Sequence, residues 1–284
     1  MDKQLIALEK DLALAAKLAA LAAKGEIKLN ATRDNKSNSD LKMGIDLGTS
    51  NIVTLILDEK NKPLACRMTE ADVVRDGIVW DFFGAVKIVR EHIASLTQEL
   101  GCIPSAAITS FPPGTEARIS ANVLDAAGIK VSAVIDEPSA VAHLLKLNHA
   151  GIVDIGGGTT GVAIIIDGKV VYSADEPTGG HHVSLTIAGN QKIELADAER
   201  LKKEDQTLIW PIVRPVFEKM ADIVGRMIKD QKINTLYLSG GSCMMRGVKS
   251  LFEEEFPTLK IILPENSILL TPLAIAAYAE NNTK

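Results

Sequence analysis

The sequence predicts an α/β fold made of two similar halves. Residues 43–57 have the pattern of a strand, a tight glycine-containing turn and a second strand, and residues 151–171 repeat this pattern. Apolar residues at helical spacing come later in each half, over residues 81–100 in the first and 209–229 in the second. Because hairpin-connected strands and then helices occur twice in the same order, we interpret the chain as an internal duplication with two lobes.

Composition narrows the classes of protein to which the chain can belong. Its 284 residues are 46% hydrophobic, enough for the cores of two compact lobes, and its net charge of -5 comes without a basic cluster that could neutralise nucleic-acid phosphates. Its three cysteines lack metal-site spacing and leave an odd count, which argues against a disulfide framework or structural zinc. Apolar runs are shorter than the roughly 20 residues of a membrane span. We expect a cytoplasmic protein that binds no nucleic acid and has no membrane span.

Residues 1–24 predict a helix, because alanine and leucine dominate and Gly25 suits a left-handed C-terminal cap. Lysines recur along one stripe of this helix, and the leucines form a broad apolar face over the rest of its surface. Residues 25–42 are rich in asparagine, serine, aspartate and lysine, and they predict a polar linker. A helix on such a tether is either an interaction element for a partner or packs back on its own body, and the sequence leaves both interpretations open.

Helices and strands alternate after the first hairpin and again after the second. In the first half we predict a helix at 81–100, a strand at 106–110, a helix at 118–127, a strand at 131–135 and a helix at 139–147. In the second half the long helix at 209–229 precedes a strand at 235–239 that runs into two glycines. The same kind of α/β unit therefore recurs along the chain.

The two hairpin turns share a chemistry that suits phosphate binding. GIDLGTSN at residues 44–51 and DIGGGTTG at 154–161 each carry an aspartate near the end of a strand, then glycines, then hydroxyl residues. Glycines let backbone N–H groups approach a phosphate closely, hydroxyls add donors, and a carboxylate beside phosphates can hold a hydrated magnesium ion. The candidate nucleotide-binding residues are Gly48, Thr49, Ser50 and Asn51 in the first turn and Gly156, Gly157, Gly158, Thr159 and Thr160 in the second.

A single glycine-rich hairpin would need no ligand to explain it, since tight turns favour glycine in any case. Two matched copies favour a shared ligand, because Asp46 and Asp154 could then face each other across a cleft and hold one Mg2+ through water. We therefore predict both aspartates as magnesium partners with a part in catalysis.

Two further positions fit this site. Glu137 lies at a strand-to-helix junction, where a carboxylate can orient a water molecule for attack on a terminal phosphate, although the helix dipole also favours an acid there. Gly240, Gly241 and Ser242 follow a strand, so their backbone could pass beneath a flat ligand such as adenine, or form an ordinary turn into the next helix. The histidines at 181–182 lack a third ligand at metal-site spacing, and we interpret them as structural.

These features together resemble the actin, Hsp70, FtsA and MreB superfamily over residues 43–280. The matching motifs are the first phosphate motif at 44–51, the first connecting motif DEPSA at 136–140, the second phosphate motif at 154–160, the adenosine motif at 238–248 and the second connecting segment at 270–276. The resemblance implies ATP and Mg2+ as cofactors, with Glu137 positioning the hydrolytic water. Glu199, Lys202 and Lys203 are similar in spacing to residues of Hsp70 that contact the nucleoside.

The resemblance also implies an actin-like ATPase fold, which is a duplicated RNase H-like fold with two lobes. The first lobe would span residues 43–149 and be completed by residues 265–284, and the second would span residues 150–264. The stretch between residues 57 and 81 is short, so the outer subdomains are expected to be reduced, and the lysine that Hsp70 contributes from this region has no evident counterpart.

Longer stretches look like one family within this superfamily, the ethanolamine utilisation protein J (EutJ) family. They are ADVVRDGIVWDFFGAVKIVREHI, SFPPGT, DIGGGTTG, TGGHHVSLTIAG, GGSCMMRG and TPLAIA. Family members are encoded with the enzymes of a bacterial ethanolamine-degrading microcompartment and are described as chaperone-like. The resemblance implies ethanolamine-degrading enzymes or microcompartment shell proteins as partners, reached through the N-terminal helix, which resembles the short amphipathic helices that serve as encapsulation tags.

One position departs from the superfamily pattern. Where related proteins commonly have an acidic or polar residue after the threonines of the second motif, this chain has Gly161, which removes a metal or water partner. We therefore expect slow or conditional ATP hydrolysis. The alternatives are a non-catalytic nucleotide-binding scaffold, similar to the pilus adaptors of the superfamily, and a small-metabolite kinase, which the lack of an extra substrate segment disfavours. The sequence leaves a homo-oligomer open.

Overall fold

The computed structural model of the chain describes residues 3–26, 41–75, 78–111 and 116–278. Most of the predicted linker, at residues 27–40, lies outside these ranges, as do the last residues of the expected return to the first lobe, 279–284. The described residues form two five-stranded sheets and a two-stranded ribbon. Helices pack against both sheets.

The first half of the chain forms the first sheet. Its elements, in chain order, are α1 (Lys3–Ala23), β1 (Lys42–Leu47), β2 (Asn51–Leu57), β3 (Pro63–Glu70), β4 (Val74–Arg75), β5 (Ile78–Val79), α2 (Phe82–Leu100), β6 (Ala106–Phe111), α3 (Ala117–Ala126), β7 (Lys130–Asp136) and α4 (Glu137–Leu144). The strand order is β3-β2-β1-β6-β7. β1 is antiparallel to β2 and parallel to β6, so a three-stranded meander continues into two parallel strands.

The second half repeats this arrangement. Its elements are β8 (Ala150–Ile155), β9 (Thr160–Ile166), β10 (Lys169–Glu176), α5 (Gly180–Gln191), α6 (Leu195–Glu204), α7 (Gln206–Met227), β11 (Thr235–Ser239), α8 (Val248–Glu255), β12 (Lys260–Ile262) and α9 (Leu270–Ala277). The strand order is β10-β9-β8-β11-β12, and β8 is antiparallel to β9 and parallel to β11. The two sheets therefore have the same order and the same strand directions, which confirms the predicted duplication.

The sequence pattern does not predict β3, most of β10, or β12. β3 and β10 are outer strands of their sheets, where polar residues and proline are tolerated because one edge has no partner strand. β3 opens with Pro63 and contains Arg67, and β10 exposes most of its residues, so neither has the apolar pattern of an inner strand. The ribbon formed by β4 and β5 pairs only two residues of each strand, in agreement with the reduced outer subdomain expected there.

Three apolar clusters form the core of the described residues. One lies between the first sheet and helices α2 and α3, and another lies between the second sheet and helices α5 to α8. The third, which we call the central layer, lies between the two sheets and combines α1, α4 and α9 with residues of both sheets, among them Leu55 and Ile152. α9 also packs on β1 and β2, so the chain returns to the first sheet after completing the second.

The N-terminal helix α1 packs on the body of the protein. Its lysine stripe is exposed to solvent. The residues that it buries in the central layer are Leu8, Leu12, Ala15 and Ala19. The sequence leaves open whether this helix is free for a partner or packs on its own body, and in the structure it packs on its own body.

Polar contacts also fasten α1 to the first lobe. Lys62 Nζ lies 2.8 Å from an Asp11 carboxylate oxygen. The Gln4 side-chain amide donates a hydrogen bond to the Leu145 carbonyl at 2.7 Å. Neither α1 nor any other helix in the described ranges is long and apolar enough to cross a membrane.

Leu12→Ala is expected to destabilise the protein by about 2–5 kcal/mol, because it removes a fully buried side chain from the central layer and leaves a cavity. Leu14→Ala is the matched control on the same helix, where the side chain is 38% exposed, and it is expected to change stability by about 0.5 kcal/mol or less. Denaturant-induced unfolding measures both effects. Equal losses from the two substitutions would contradict the packing of α1 on the body.

Candidate functional site between the two glycine hairpins

The two glycine hairpins have the same turn and touch each other. In the β1–β2 turn the Gly48 N–H donates to the Asn51 carbonyl at 3.0 Å, and the β8–β9 turn has the equivalent hydrogen bond at 3.0 Å. A Cβ atom placed on Gly157 would lie 2.0 Å from Ser50 Oγ and 3.2 Å from the Ser50 nitrogen. A side chain at position 157 would therefore require Ser50 to rotate or shift, whereas glycine lets the turns of the two lobes meet as they are.

Asp46 and Asp154 occupy equivalent places, each one residue before the end of its strand. Asp46 accepts a hydrogen bond from the Ser110 hydroxyl at 3.2 Å. Burial in the cleft, and then the charge of Asp154, raise the pKa of Asp46 to about 7. The two carboxylates are therefore close enough to repel each other, and a cation between them would relieve that repulsion.

Hydroxyl groups from α9 and β11 hold Asp154. The Thr271 hydroxyl donates to Asp154 Oδ2, and Ser239 Oγ lies 2.9 Å from Thr271 Oγ1. Burial raises the pKa of Asp154, and hydrogen bonds from Thr271 and Ser239 oppose this rise. Gly240 lies beside the same carboxylate with a φ of 90°, and a Cβ there would be 2.5 Å from Asp154 Oδ1, so this position requires glycine.

Glu137 is the first residue of α4, but it does not cap the helix. That role belongs to Asp136, whose carboxylate accepts from the Ser139 N–H at 3.1 Å. Burial raises the pKa of Glu137 well above its ordinary value, and the charges of Asp46 and Asp154 add to this effect. The three carboxylates predicted to take part in catalysis therefore lie within electrostatic reach of one another.

The loop at residues 240–242 supports the second hairpin. The Ser242 hydroxyl donates to the Gly156 carbonyl at 2.7 Å, and the Gly180 N–H donates to the same carbonyl at 2.9 Å. The segment predicted to lie beneath adenine is thus joined directly to the segment predicted to bind phosphate.

Helix α6 carries Glu199, Lys202 and Lys203. Lys202 Nζ lies 2.8 Å from Glu199 Oε2 and donates to the Ser184 hydroxyl at 2.7 Å. Lys203 reaches the first lobe, where its Nζ lies 2.6 Å from Glu70 Oε1 at the end of β3. Both side chains of this last pair are more than half exposed, so the pair bridges the lobes without locking them together.

The threonines of the second hairpin differ in where their hydroxyls point. Thr160 is fully buried and donates to the Thr178 carbonyl at 2.6 Å. Thr159 is 9% exposed, and its hydroxyl lies near enough to Asp175 on β10 to oppose the rise that burial causes in the pKa of that carboxyl. Since the Thr160 hydroxyl is engaged within the protein, donors of this hairpin for a phosphate would come from other groups, among them backbone N–H groups.

The neighbouring histidines have backbone and capping contacts. His182 Nδ1 accepts from the Gly179 N–H at 3.4 Å at the start of α5, and the His181 N–H donates to the Gly157 carbonyl at 2.7 Å. The ring of His182 therefore has a structural role at the start of α5, whereas the contact of His181 is made by its main chain. Within the described ranges, no group of three or more histidine, cysteine, aspartate or glutamate side chains is arranged to hold a metal ion directly.

Four side chains of the cleft are missing from the sequence prediction. They are Ser110, Asp175, Ser239 and Thr271. Thr271 could have been predicted from the sequence, because it is the hydroxyl residue of an otherwise apolar helix, and a buried hydroxyl needs a hydrogen-bond partner. Asp175 lies on an outer strand that the sequence pattern largely misses.

A cavity of about 350 Å3 lies at the opposite end of the first sheet. Its lining includes Lys42 at the start of β1, Ala106 at the start of β6 and Ser132. None of the predicted site residues lines this cavity. The convergence of carboxylates, rather than cavity volume, therefore identifies the candidate site.

Comparisons with known proteins extend along most of the chain. The family described as cell division protein FtsA matches residues 151–279, and the family described as MreB/Mbl protein matches residues 67–192. Ethanolamine utilization protein EutJ of Salmonella typhimurium is 58% identical over 240 residues, which cover 84% of this chain and 86% of that protein.

Solved structures give the same assignment of fold. The crystal structure of ethanolamine utilization protein EutJ from Carboxydothermus hydrogenoformans is similar with a TM-score of 0.86 and 39% identity, covering 96% of this chain and 99% of that one. MreB5 of Spiroplasma citri bound to AMPPNP is similar with a TM-score of 0.64 and 18% identity, covering 83% of this chain and 95% of that one. The predicted actin-like ATPase fold is confirmed.

Asp46→Asn is expected to raise the melting temperature of the ligand-free protein at pH 8. The native pKa near 7, above an ordinary 3.8, means that the folded state binds this proton more tightly than the unfolded chain. The resulting stability is present below pH 4 and lost as pH rises through 7. In thermal unfolding, the melting temperature of the variant should therefore exceed that of the native protein at pH 8, and the difference should shrink towards pH 4. Each kcal/mol of stabilisation raises the melting temperature by roughly 2–4 °C.

The control for this experiment is Asp125→Asn, on the exposed surface of α3. It should leave the melting temperature unchanged at both pH values. An Asp46→Asn protein that melts at or below the native temperature at pH 8 would contradict the burial of Asp46 beside Asp154.

Proposed function

This chain belongs to the EutJ family of ethanolamine utilization proteins, within the actin-like ATPase superfamily, and we propose that it binds ATP with Mg2+ in the cleft between its lobes. One observation carries the proposal. Asp46 and Asp154, from equivalent strand ends of two duplicated sheets, lie within electrostatic reach of each other beside glycine turns that touch. A pair of tight turns without a ligand would not require a buried carboxylate and a half-buried one to lie within electrostatic reach of each other.

The side chains at the cleft suit a hydrated magnesium ion. Asp46 and Asp154 offer hard oxygen donors, and their mutual repulsion is the condition that a divalent cation relieves. These two residues would hold Mg2+ through water, and the ion would supply positive charge to the nucleotide phosphates. Backbone N–H groups of the turns at 48–51 and 156–160 would hold the phosphates, and the structural relative MreB5, bound to AMPPNP, supports a nucleotide as the ligand.

Glu137 is the residue that we propose to orient the attacking water. In the ligand-free protein, burial and then the charges of Asp46 and Asp154 raise the pKa of Glu137 and favour its protonated form. Positive charge at the cleft would offset the charges of those neighbours, so that Glu137 ionises and can accept a proton from water. Hydrolysis would therefore be conditional on the bound cation, and we expect it to be slow.

Nucleotide binding is expected to change the angle between the lobes. Ser50 Oγ occupies the space above Gly157, so a phosphate can enter between the hairpins only if Ser50 rotates or the lobes part. The exposed Lys203–Glu70 pair opposes such a movement only weakly. A change of lobe angle is a signal that a partner protein can read.

We propose that this signal serves an assembly or chaperone-like role towards ethanolamine-degrading enzymes or microcompartment shell proteins. The family membership supports the link to ethanolamine utilisation. One face of α1 is buried in the central layer, so a partner would contact its exposed face, which includes Lys10, Leu14 and Lys17. Such a contact would be made by a helix that stays packed on the body.

A second candidate function is a non-catalytic nucleotide-binding scaffold. The observation that favours it is Gly161, which brings no side chain to the cleft and lies against Pro138, where a Cβ would be 3.3 Å from Pro138 Cγ. In this case ATP would bind and change the lobe angle without turnover. Sustained ATP hydrolysis that is lost when Glu137 is substituted would exclude this function.

Asp46→Ala and Asp154→Ala are each expected to weaken binding of ATP in the presence of Mg2+ by at least about tenfold, which corresponds to about 1.4 kcal/mol. Glu137→Gln is expected to leave ATP affinity nearly unchanged and to lower the single-turnover rate by about 10²–10⁴. Calorimetry measures the affinities, and rapid-quench single turnovers measure the rate. Asp125→Ala, on the exposed surface of α3, is the control.

The separate readouts distinguish the two functions. If both aspartate variants bind ATP as the native chain does, the assignment of the cleft is wrong. If the native chain binds ATP and forms no ADP under any condition, the scaffold function holds and the ATPase function does not.

Lys10→Glu combined with Lys17→Glu is expected to reduce co-localisation with the microcompartment, because the changes reverse charge on the exposed face of α1 and spare its buried face. Fluorescent fusions in a bacterium that forms the compartment measure this. Lys229→Glu, an exposed change elsewhere on the chain, should have no effect. Unchanged co-localisation of the double variant would refute a partner contact through α1.

A further inference from the structure

We propose that Asp175 is a positioning residue of the nucleotide site, which holds water of the hydrated cation together with Asp154 and supplies a carboxylate that the second hairpin lacks at Gly161. This inference rests on the proposed ATP and Mg2+ binding of the cleft and assigns a further residue to it. Its basis is the register of β10, the space around Gly161 and the uncompensated charge of the cleft.

The register places Asp175 opposite Gly161. β10 is antiparallel to β9, and Asp175 pairs with Gly161 in this ladder. Side chains of directly paired residues project from the same face of a sheet. A Cβ placed on Gly161 would lie 3.2 Å from Asp175 Oδ1. The carboxylate of Asp175 therefore occupies the space that a side chain at position 161 would use.

Contacts on both sides direct Asp175 towards the cleft. The Thr159 hydroxyl of the second hairpin lies near enough to its carboxylate to oppose the rise that burial causes in the pKa of Asp175. Two residues earlier on the same strand, the Ser173 hydroxyl donates to Asp136 at 3.3 Å, at the start of α4 in the first lobe. β10 is thus fastened to the hairpin of one lobe and to the connecting motif of the other, with Asp175 between them.

The acidic side chains of the cleft repel one another, and no described lysine or arginine is paired with them. Asp175 lies near enough to Asp154 and Glu137 for their charges to interact. Within the described part of the chain, neither Asp175 nor Asp46, Glu137 or Asp154 forms an ion pair with a lysine or arginine. Like charges at a partly buried site repel each other, and a bound cation with its ordered water would relieve the repulsion that acts on Asp175.

The test measures how much Mg2+ is needed to strengthen ATP binding at equilibrium. The native protein, Asp175→Asn and the control Glu176→Gln are titrated with ATP over a series of Mg2+ concentrations and in EDTA. Asp175→Asn is expected to raise the half-saturating Mg2+ concentration by about tenfold or more, as outer-shell partners of metal sites do when they are changed. Its ATP affinity in EDTA should stay at the native value. Glu176→Gln changes the exposed next residue of the same strand and should behave as native.

A double substitution separates the carboxylate from the fold of β10. Gly161→Asp combined with Asp175→Gly moves the carboxylate to the facing strand, into the space that Asp175 vacates. It is expected to recover most of the native response to Mg2+, with a small shift near Pro138, where the new Cβ would be 3.3 Å from Cγ. A folded double variant as weak as Asp175→Asn would count against the proposal.

The outcomes distinguish this inference from the function on which it rests. A native protein that does not bind ATP would overturn the proposed function, and the inference with it. A native protein whose ATP binding depends on Mg2+, together with an Asp175→Asn variant of unchanged Mg2+ requirement, would overturn the inference alone.

Discussion

The packing of the central layer between the two sheets determines where the chemical groups of the cleft lie. α4 starts at Glu137 and α9 contributes Thr271, and both helices are buried in that layer together with α1. Because the two sheets contact the same helices, the equivalent strand ends that carry Asp46 and Asp154 come together at one cleft. The apolar residues of this layer thus set the geometry of a polar site to which they contribute no polar atoms.

This geometry holds acidic groups together at a cost in stability. Burial raises the pKa of Asp46 and Asp175 to about 7 and raises the pKa of Glu137 well above its ordinary value, and the neighbouring carboxylates add to each rise. Functional sites often retain such unfavourable arrangements, and the rest of the fold offsets them. A ligand that brings positive charge would relieve the cost, and its binding would stabilise the folded state by mass action.

Patterns in short stretches of the sequence were enough to predict much of this architecture. The glycine hairpins, the long helices and the order of the two halves follow from turn residues and from apolar periodicity, and β11 has the predicted bounds, 235–239. The face to which α1 docks could not be predicted, because an amphipathic pattern does not say which surface covers the apolar side. The same holds for Ser110 and Thr271, single hydroxyls that meet an aspartate only after distant segments have packed.

A motif on one strand can lack a side chain that the neighbouring strand supplies, and Gly161 is an example. The sequence alone indicates a missing side chain, whereas the structure has the carboxylate of Asp175 over the same position from the next strand. Strand register depends on pairing across the sheet, and β10 is an outer strand with a weak apolar pattern. For this reason the acidity of the cleft could be judged only after the sheet was assembled.

A crystal structure with AMPPNP and Mg2+ would show whether the cleft between the glycine hairpins binds nucleotide. We expect the phosphates to lie between the turns at 48–51 and 156–160, Ser50 to have moved away from Gly157, and the ion to lie one water molecule from Asp46 and Asp154. A nucleotide bound elsewhere, with Ser50 still against Gly157 and no ion near the two aspartates, would contradict this expectation.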